Sequence, residues 1–229
     1  MRPWRSDVPI PFLIAGGAGA LIVSFYFGPR LFSVFGMVNS LIISTVAAIL
    51  LYCGTLALAF PRGELAQKAG FAKVTLKDLR LCALSLPVML AGTALITGAA
   101  GEMLDFFQIN YEKEQALLHL VRRSDTSNFL KLLLLTAGVI PLLEELVFRR
   151  GLYALLLKLG APAAMVGTAL IFSAAHGFLL GAPGLFFIGV VFQMVCNMTR
   201  NLWCSVISHA LLNATVLAVT FAAGKAGAV

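Results

Sequence analysis

The chain has 229 residues, of which 60% are hydrophobic and only 12% are charged, and its formal net charge is +7. A soluble globular domain carries about a quarter charged residues and slightly under half apolar ones. The composition excludes disordered, collagen-like and disulfide-stapled proteins, and the unbroken apolar runs argue against a membrane β-barrel, whose strands alternate. We therefore expect an all-α membrane protein.

Apolar runs long enough to cross a bilayer, about 20 residues each, predict about seven spans in one membrane domain, residues 1–229. Pro87 predicts a kink in the third of them. In chain order the runs are Ile10–Phe27, Phe35–Phe60, Leu81–Leu104, Phe129–Leu157, Pro162–Leu180, Gly184–Met198 and Leu202–Phe221.

The most polar stretch, Asp105–Asn128, lies between the third and fourth predicted spans. Four apolar residues in it recur at helical spacing: Ala116, Leu117, Leu120 and Val121. This pattern predicts an amphipathic helix on the membrane surface.

The 17 Lys and Arg residues lie mainly in short breaks between apolar runs. Eleven of them fall on the side of the N-terminus and six on the other, which predicts a cytoplasmic N-terminus. The short loops and compact size suggest the inner membrane of a bacterium. No basic stripe with interleaved aromatic residues is present, so we expect contact with membrane lipid and none with nucleic acid.

The four cysteines lie within or beside apolar runs and form no C-x-x-C pair. They are Cys53, Cys82, Cys196 and Cys204. Such residues commonly behave as small hydrophobic side chains, and neither a disulfide framework nor a zinc site has the required spacing.

Four charged residues interrupt the fourth span within Pro141–Gly151. Charged groups at membrane depth are costly and usually mark function. Glu145 and Arg149 are four residues apart and so meet on one helix face. Glu144 points about 100° away, which leaves it free to face a cavity and act as a general base. The alternative is a helix that ends here, with both acids at the interface beside Arg149 and Arg150.

Two of the three histidines fall inside predicted spans. His176 follows Phe172 by four residues, and His209 and Asn213 lie one turn apart on one face. A single intramembrane histidine is often a hydrogen-bonding device between helices, whereas two histidines with the Glu pair suggest a converging site. His, His and Glu is a zinc ligand set in hydrolases, but no H-E-x-x-H motif is present, and we expect neither a metal nor another cofactor.

Three motifs in order on successive predicted helices resemble those of the CPBP family. This family comprises type II CAAX prenyl endopeptidases and bacteriocin-processing or abortive-infection proteins, which are glutamate-type intramembrane proteases. The motifs are Glu144-Glu145-x-x-x-Arg149, Phe172-x-x-x-His176 and His209-x-x-x-Asn213. The resemblance covers residues 129–221, the expected catalytic helices, whereas residues 1–128 resemble the family only as hydrophobic spans of a variable N-terminal part.

The resemblance implies an endopeptidase that uses water directly. Glu144 would be the general base, assisted by His176, and His209 and Asn213 would donate hydrogen bonds to the oxyanion. The implied partner is a peptide or protein substrate, lipidated or membrane-associated and cut near its C-terminus. A prenylated C-terminus, a sorting tag and a leader peptide all remain open.

The same resemblance implies supporting roles for three residues. Glu145 and Arg149 would form an ion pair that fixes the helix, and Phe172 would pack against the site and limit its water. Arg150 stands where many members already have the glycine that follows here as Gly151.

Other chemistries have less support in the sequence. Ser173, Ser205 and Ser208 lie near the histidines without a G-x-S-x-G elbow, and a cysteine nucleophile at Cys196 or Cys204 has little support. A rival of another class is a non-catalytic transporter or scaffold that binds a partner or ion through the Glu/His/Asn cluster. The sequence lacks the two similar halves common in transporters.

Overall fold

A computed structural model describes Gly16, Gly19, residues 36–59 and residues 70–227. These residues are largely helical and contain no strand. The predicted all-α bundle is therefore confirmed for the described part. The predicted first span, Ile10–Phe27, lies outside the described residues except for its two glycines.

Seven helices follow one another in the described part of the chain. The fourth is a continuous helical stretch of mixed type, residues 126–159. In order they are α1 (Met37–Ala59), α2 (Leu76–Phe106), α3 (Ala116–Arg123), α4 (residues 126–159), α5 (Ala161–Ala175), α6 (Ala182–Thr199) and α7 (Leu202–Lys225). Within α4, the α-helical segments are Thr126–Leu133, Ile140–Glu145 and Tyr153–Leu156, the π-helical ones are Leu134–Val139 and Leu146–Leu152, and Leu157–Leu159 is a 3₁₀ turn.

Helices α1, α2, α6 and α7 are long and apolar enough to cross a membrane. The chain is an integral membrane protein, while the total of about seven spans stays a prediction. Helix α2 begins before the predicted Leu81 because a capping box starts it: the Thr75 hydroxyl accepts from the Asp78 N–H, and the Asp78 carboxylate accepts from the Thr75 N–H.

The predicted fifth span was too long at its C-terminal end. Helix α5 ends at Ala175 rather than Leu180, and His176 is its C-cap instead of an interior residue. Gly177 follows with φ +60°, a left-handed conformation that glycine adopts without steric penalty and that commonly ends a helix. This early stop places the His176 side chain at the end of a helix.

Helix α7 packs against α2, α3, α4 and α6, and α6 lies against both α2 and α5. The central apolar cluster contains residues of α2, α4, α5, α6 and α7. They are Met89, Phe148, Phe172, Ile188, Phe192 and Leu212. The motif-bearing helices α4, α5 and α7 therefore meet around one core.

The amphipathic helix predicted between the third and fourth spans is present as α3. Its buried residue Val121 packs with Leu132 and Leu217, which docks α3 on the C-terminal end of α7. The approach is close, because a Cβ at Gly224 would lie 2.2 Å from the carbonyl oxygen of Arg122. Its placement on the membrane surface stays a prediction.

Candidate active site

A cavity of about 740 Å³ lies between the helices and is lined by residues of all seven. Its walls are mostly apolar. The exceptions include every residue that the sequence singled out as catalytic: Glu144, His176, His209 and Asn213. The three motifs, which are spread over about 70 residues of sequence, therefore supply side chains to one space.

Glu145 is completely buried and both of its carboxylate oxygens are hydrogen-bonded. Oε2 accepts from Arg149 Nε at 2.9 Å and from the Ser205 hydroxyl, and Oε1 accepts from His209 Nδ1 at 3.0 Å. Because an ionised carboxylate can only accept, Nδ1 of His209 carries the proton of that bond. Glu145 thus joins α4 to α7 and orients the His209 ring.

Glu144 has different surroundings from its neighbour. Its side chain is 25% exposed, and its Oε2 lies 3.7 Å from Nε2 of His209. This oxygen has no hydrogen-bond partner among the described residues. One acid of the pair is therefore saturated by protein donors, whereas the other lines the cavity with a partly exposed side chain.

His176 is held by the backbone of its own helix. Its Nδ1 lies 2.8 Å from the carbonyl oxygen of Phe172, and since a carbonyl can only accept, Nδ1 donates. In the neutral ring, Nε2 then has a free lone pair. The cap position at the end of α5 thus presents a nitrogen that can accept a proton from water.

Asn213 completes a gap in the hydrogen bonding of α4. In the first π-helical turn the N–H of Ile140 bonds to the carbonyl of Leu135, and Pro141, which comes next, has no N–H to donate. The carbonyl of Thr136 instead accepts from Asn213 Nδ2 at 2.8 Å. The second hydrogen of this amide remains for another acceptor.

Aromatic rings enclose the ion pair and both histidines. The Phe172 ring centroid lies 4.7 Å from that of His176 and 6.1 Å from that of His209, and Phe192 stacks on His209 at 4.5 Å. The Arg149 guanidinium carbon lies 5.1 Å from the Phe172 ring centre and 5.7 Å from the Phe192 ring centre. These cation–π contacts add to the pairing of the buried Arg149 charge with Glu145.

The side chains considered as alternative nucleophiles are engaged elsewhere or enclosed. Ser173 donates to the carbonyl of the first residue of α6 at 2.6 Å, and Ser208 bonds to Ser85 at 3.1 Å. Cys196 and Cys204 are fully buried. Among the described residues, no group of three His, Cys, Asp or Glu side chains is arranged to hold a metal ion.

Three residues that contact the candidate site were not assigned to it from the sequence. Ser205 was weighed only as a nucleophile, yet its hydroxyl bonds to Glu145. A signal was available, since Ser205 precedes His209 by one helical turn and shares its face. Phe192 and the carbonyl of Thr136 carry no comparable signal, because their contacts arise only when helices pack.

Part of the chain is similar to a family of known proteins. Residues 126–215 match the family model for type II CAAX prenyl endopeptidase, Rce1-like. The match spans less than half of the chain and contains all three motifs, so the resemblance drawn from them is confirmed for this segment. A search of curated proteins found no match, and a search of solved structures found none either.

Proposed function

We propose that this chain, whose residues 126–215 belong to the Rce1-like family of type II CAAX prenyl endopeptidases, hydrolyses a peptide bond with water activated by Glu144. The family acts on protein substrates. The observation that carries the mechanism is the contrast between the two acids. Glu145 is saturated by three donors, whereas Glu144 lines the cavity and its Oε2 has no hydrogen-bond partner among the described residues.

In the proposed reaction, water binds between the Glu144 carboxylate and Nε2 of His176. Glu144 takes one proton as the water oxygen bonds to the carbonyl carbon. The resulting oxyanion accepts hydrogen bonds from Nε2 of His209 and from the second amide hydrogen of Asn213. The C–N bond then breaks, and Glu144 returns its proton to the leaving amine.

This scheme requires a specific protonation state of His209. Its Nδ1 proton is already bonded to Glu145, so donation from Nε2 to an oxyanion requires an imidazolium.

We propose a substrate that is membrane-associated or lipidated and is cut near its C-terminus. The mostly apolar walls of the cavity support this, because they favour hydrocarbon over a charged peptide. To test this, a farnesylated peptide and the same peptide without the lipid are each incubated with the protein in liposomes, and their cleavage is compared.

The decisive experiment measures peptide cleavage by matched variants of purified protein. Glu144→Gln, His176→Ala, His209→Ala and Asn213→Ala should each lower turnover by about 10²-fold or more, as loss of one transition-state group does. Ser208→Ala and a protein lacking all four cysteines should stay active. A folded but inactive Ser208→Ala protein would contradict the glutamate mechanism, and an inert wild type that binds the peptide would favour the scaffold alternative.

We also propose that the reaction needs no metal ion. The carboxylate base and the two oxyanion donors supply the required proton transfer and charge stabilisation by themselves. Turnover should therefore persist after exhaustive treatment with EDTA and phenanthroline. Stoichiometric zinc in the active protein, together with loss of activity when zinc is removed, would overturn this prediction.

A further inference from the structure

We propose that Ser205 is a positioning residue that acts on His209 through Glu145, an inference that rests on the proposed function. Ser205 is completely buried on α7. Its hydroxyl donates to Oε2 of Glu145, with the carbonyl of Phe192 farther away at 3.3 Å. His209, one turn later on the same helix, donates to the other oxygen. Two donors of α7 thus hydrogen-bond to the two oxygens of one carboxylate of α4.

The two hydrogen bonds from α7 are needed because the ion pair by itself does not define the plane of the Glu145 carboxylate. Arg149 reaches Glu145 through Nε alone, and its two terminal nitrogens have no hydrogen-bond partner among the described residues. A bidentate guanidinium fixes a carboxylate through two parallel bonds. A single bond leaves the carboxylate free to rotate, and the Ser205 hydroxyl supplies the second anchor on Oε2.

The orientation of the Glu145 carboxylate then determines the orientation of the His209 ring. With Oε2 held by two donors, Oε1 is aimed at Nδ1 of His209, and the imidazole plane follows. That plane sets the position of Nε2, which lies 3.7 Å from Glu144. Loss of the Ser205 hydroxyl should therefore misalign Nε2 of His209, the proposed donor to the oxyanion, without altering the cavity that binds substrate.

Ser208 provides a matched control. It is also a serine on α7, it is equally buried, and its hydroxyl bonds to Ser85 rather than to the acid pair. Ser205→Ala should lower kcat about tenfold, the worth of one hydrogen bond to a charged group, with KM within twofold of wild type. Ser208→Ala should change neither constant.

A second readout does not depend on activity. The chain has three histidines, so ¹⁵N-histidine labelling gives few resonances, and His209→Ala identifies the signal of His209. Ser205→Ala should shift the Nδ1 resonance and speed exchange of its proton, whereas Ser208→Ala should leave both unchanged. An unchanged His209 signal in Ser205→Ala overturns the proposal even if turnover falls.

The two proposals fail in different ways. If wild type cleaves no peptide, the proposed function fails, and the histidine resonances still decide the role of Ser205. If Ser205→Ala does not fold, Ser205→Cys replaces it, because a thiol keeps the shape and is a weaker donor. Ser205→Cys should give a smaller change in kcat and in the His209 signal, and wild-type values for both would overturn the inference.

Discussion

Glu144 and Glu145 are adjacent in sequence, yet the helix turns about 100° between them and gives them separate environments. Glu145 points into the core, where an ionised carboxylate is tolerated only with several donors. Glu144 lines the cavity, and its Oε2 has no hydrogen-bond partner among the described residues. Side-chain direction alone therefore places one acid in the buried hydrogen-bond network and the other beside the cavity.

The ion pair predicts opposite effects of substitution at the two acids. Glu145→Gln or Arg149→Leu leaves a buried charge without its partner, which costs about 3–5 kcal/mol, so both variants should lose thermal stability in detergent. Glu144→Gln removes no protein hydrogen bond and should melt at or above the wild-type temperature while cleavage is lost. The measurements are melting temperature and turnover on the same preparations.

An exchange of the two charges, Glu145→Arg with Arg149→Glu, serves as a further control. It should recover part of the lost stability, and only part, because the reversed order is less favourable along a helix. If Glu144→Gln is the destabilised variant and Glu145→Gln the stable but inactive one, the roles of the two carboxylates are the reverse of those assigned here.

The sequence predicted the contact between Glu145 and Arg149 because it depends only on a spacing within one helix. It did not predict that Ser205 and His209 share the carboxylate of Glu145. That contact joins positions about 60 residues apart and depends on the register of α7 against α4. The motifs therefore named the polar groups of the site, and helix packing determined which of them meet.

At the scale of the element, α4 combines the two acids of the candidate site with an irregular backbone. Its two π-helical turns, Leu134–Val139 and Leu146–Leu152, stand on either side of the segment that carries both acids. Such turns are uncommon and recur at functional sites. In the first, Pro141 removes a donor, and the amide of Asn213 from α7 takes its place at Thr136. The irregularity thereby ties α7 to α4 beside the cavity.

This arrangement predicts an energetic coupling between Pro141 and Asn213. Asn213→Ala alone should cost about 1–3 kcal/mol of stability, because it leaves the Thr136 carbonyl unpaired in the bundle. In a Pro141→Ala background, the new N–H can bond to that carbonyl, and the cost of Asn213→Ala should fall by about 1 kcal/mol. Unfolding free energies of the single and double variants form the cycle.

Pro87 offers the control for this cycle. It lies inside α2, whereas the Thr136 carbonyl belongs to α4, so Pro87→Ala and Asn213→Ala should be additive to within about 0.5 kcal/mol. If the effects of Pro141→Ala and Asn213→Ala were additive as well, Asn213 would not be substituting for the missing backbone donor.

The sequence predicted the existence of these elements better than their internal geometry. The apolar run Phe129–Leu157 predicted α4, while its π-helical turns were not foreseen, since they carry no distinct period. The end of α5 was misplaced for a related reason: residues after Gly177 remain apolar, and hydropathy continued the span where a glycine with positive φ stops the helix.

At the scale of the whole molecule, contacts between distant segments sort the basic residues to two ends of the bundle. At one end the Asn201 side chain bonds to the backbone of Ala72 and Lys73, which brings Arg200 close to Lys73 before α2. At the other end, Lys225 Nζ donates to the carbonyl of Ser124, beside Arg122 and Arg123. Arg200 and Lys73 belong to one group of the alternate count of Lys and Arg along the sequence, and Lys225, Arg122 and Arg123 belong to the other.

The richer basic group should face the cytoplasm, because membrane proteins retain Lys and Arg on that side. We predict an inner-membrane orientation in which Lys73, before α2, is cytoplasmic and Lys113, between α2 and α3, is on the opposite side. Both side chains are exposed.

Single cysteines placed at these positions in a protein without its four native cysteines report the orientation directly. In right-side-out vesicles, a membrane-impermeant maleimide should label Lys113→Cys at once and Lys73→Cys only after permeabilisation. Equal labelling of both positions would mean a mixed orientation. The reverse pattern would place the Asn201 end outside, and the positive-inside argument would then be wrong for this chain.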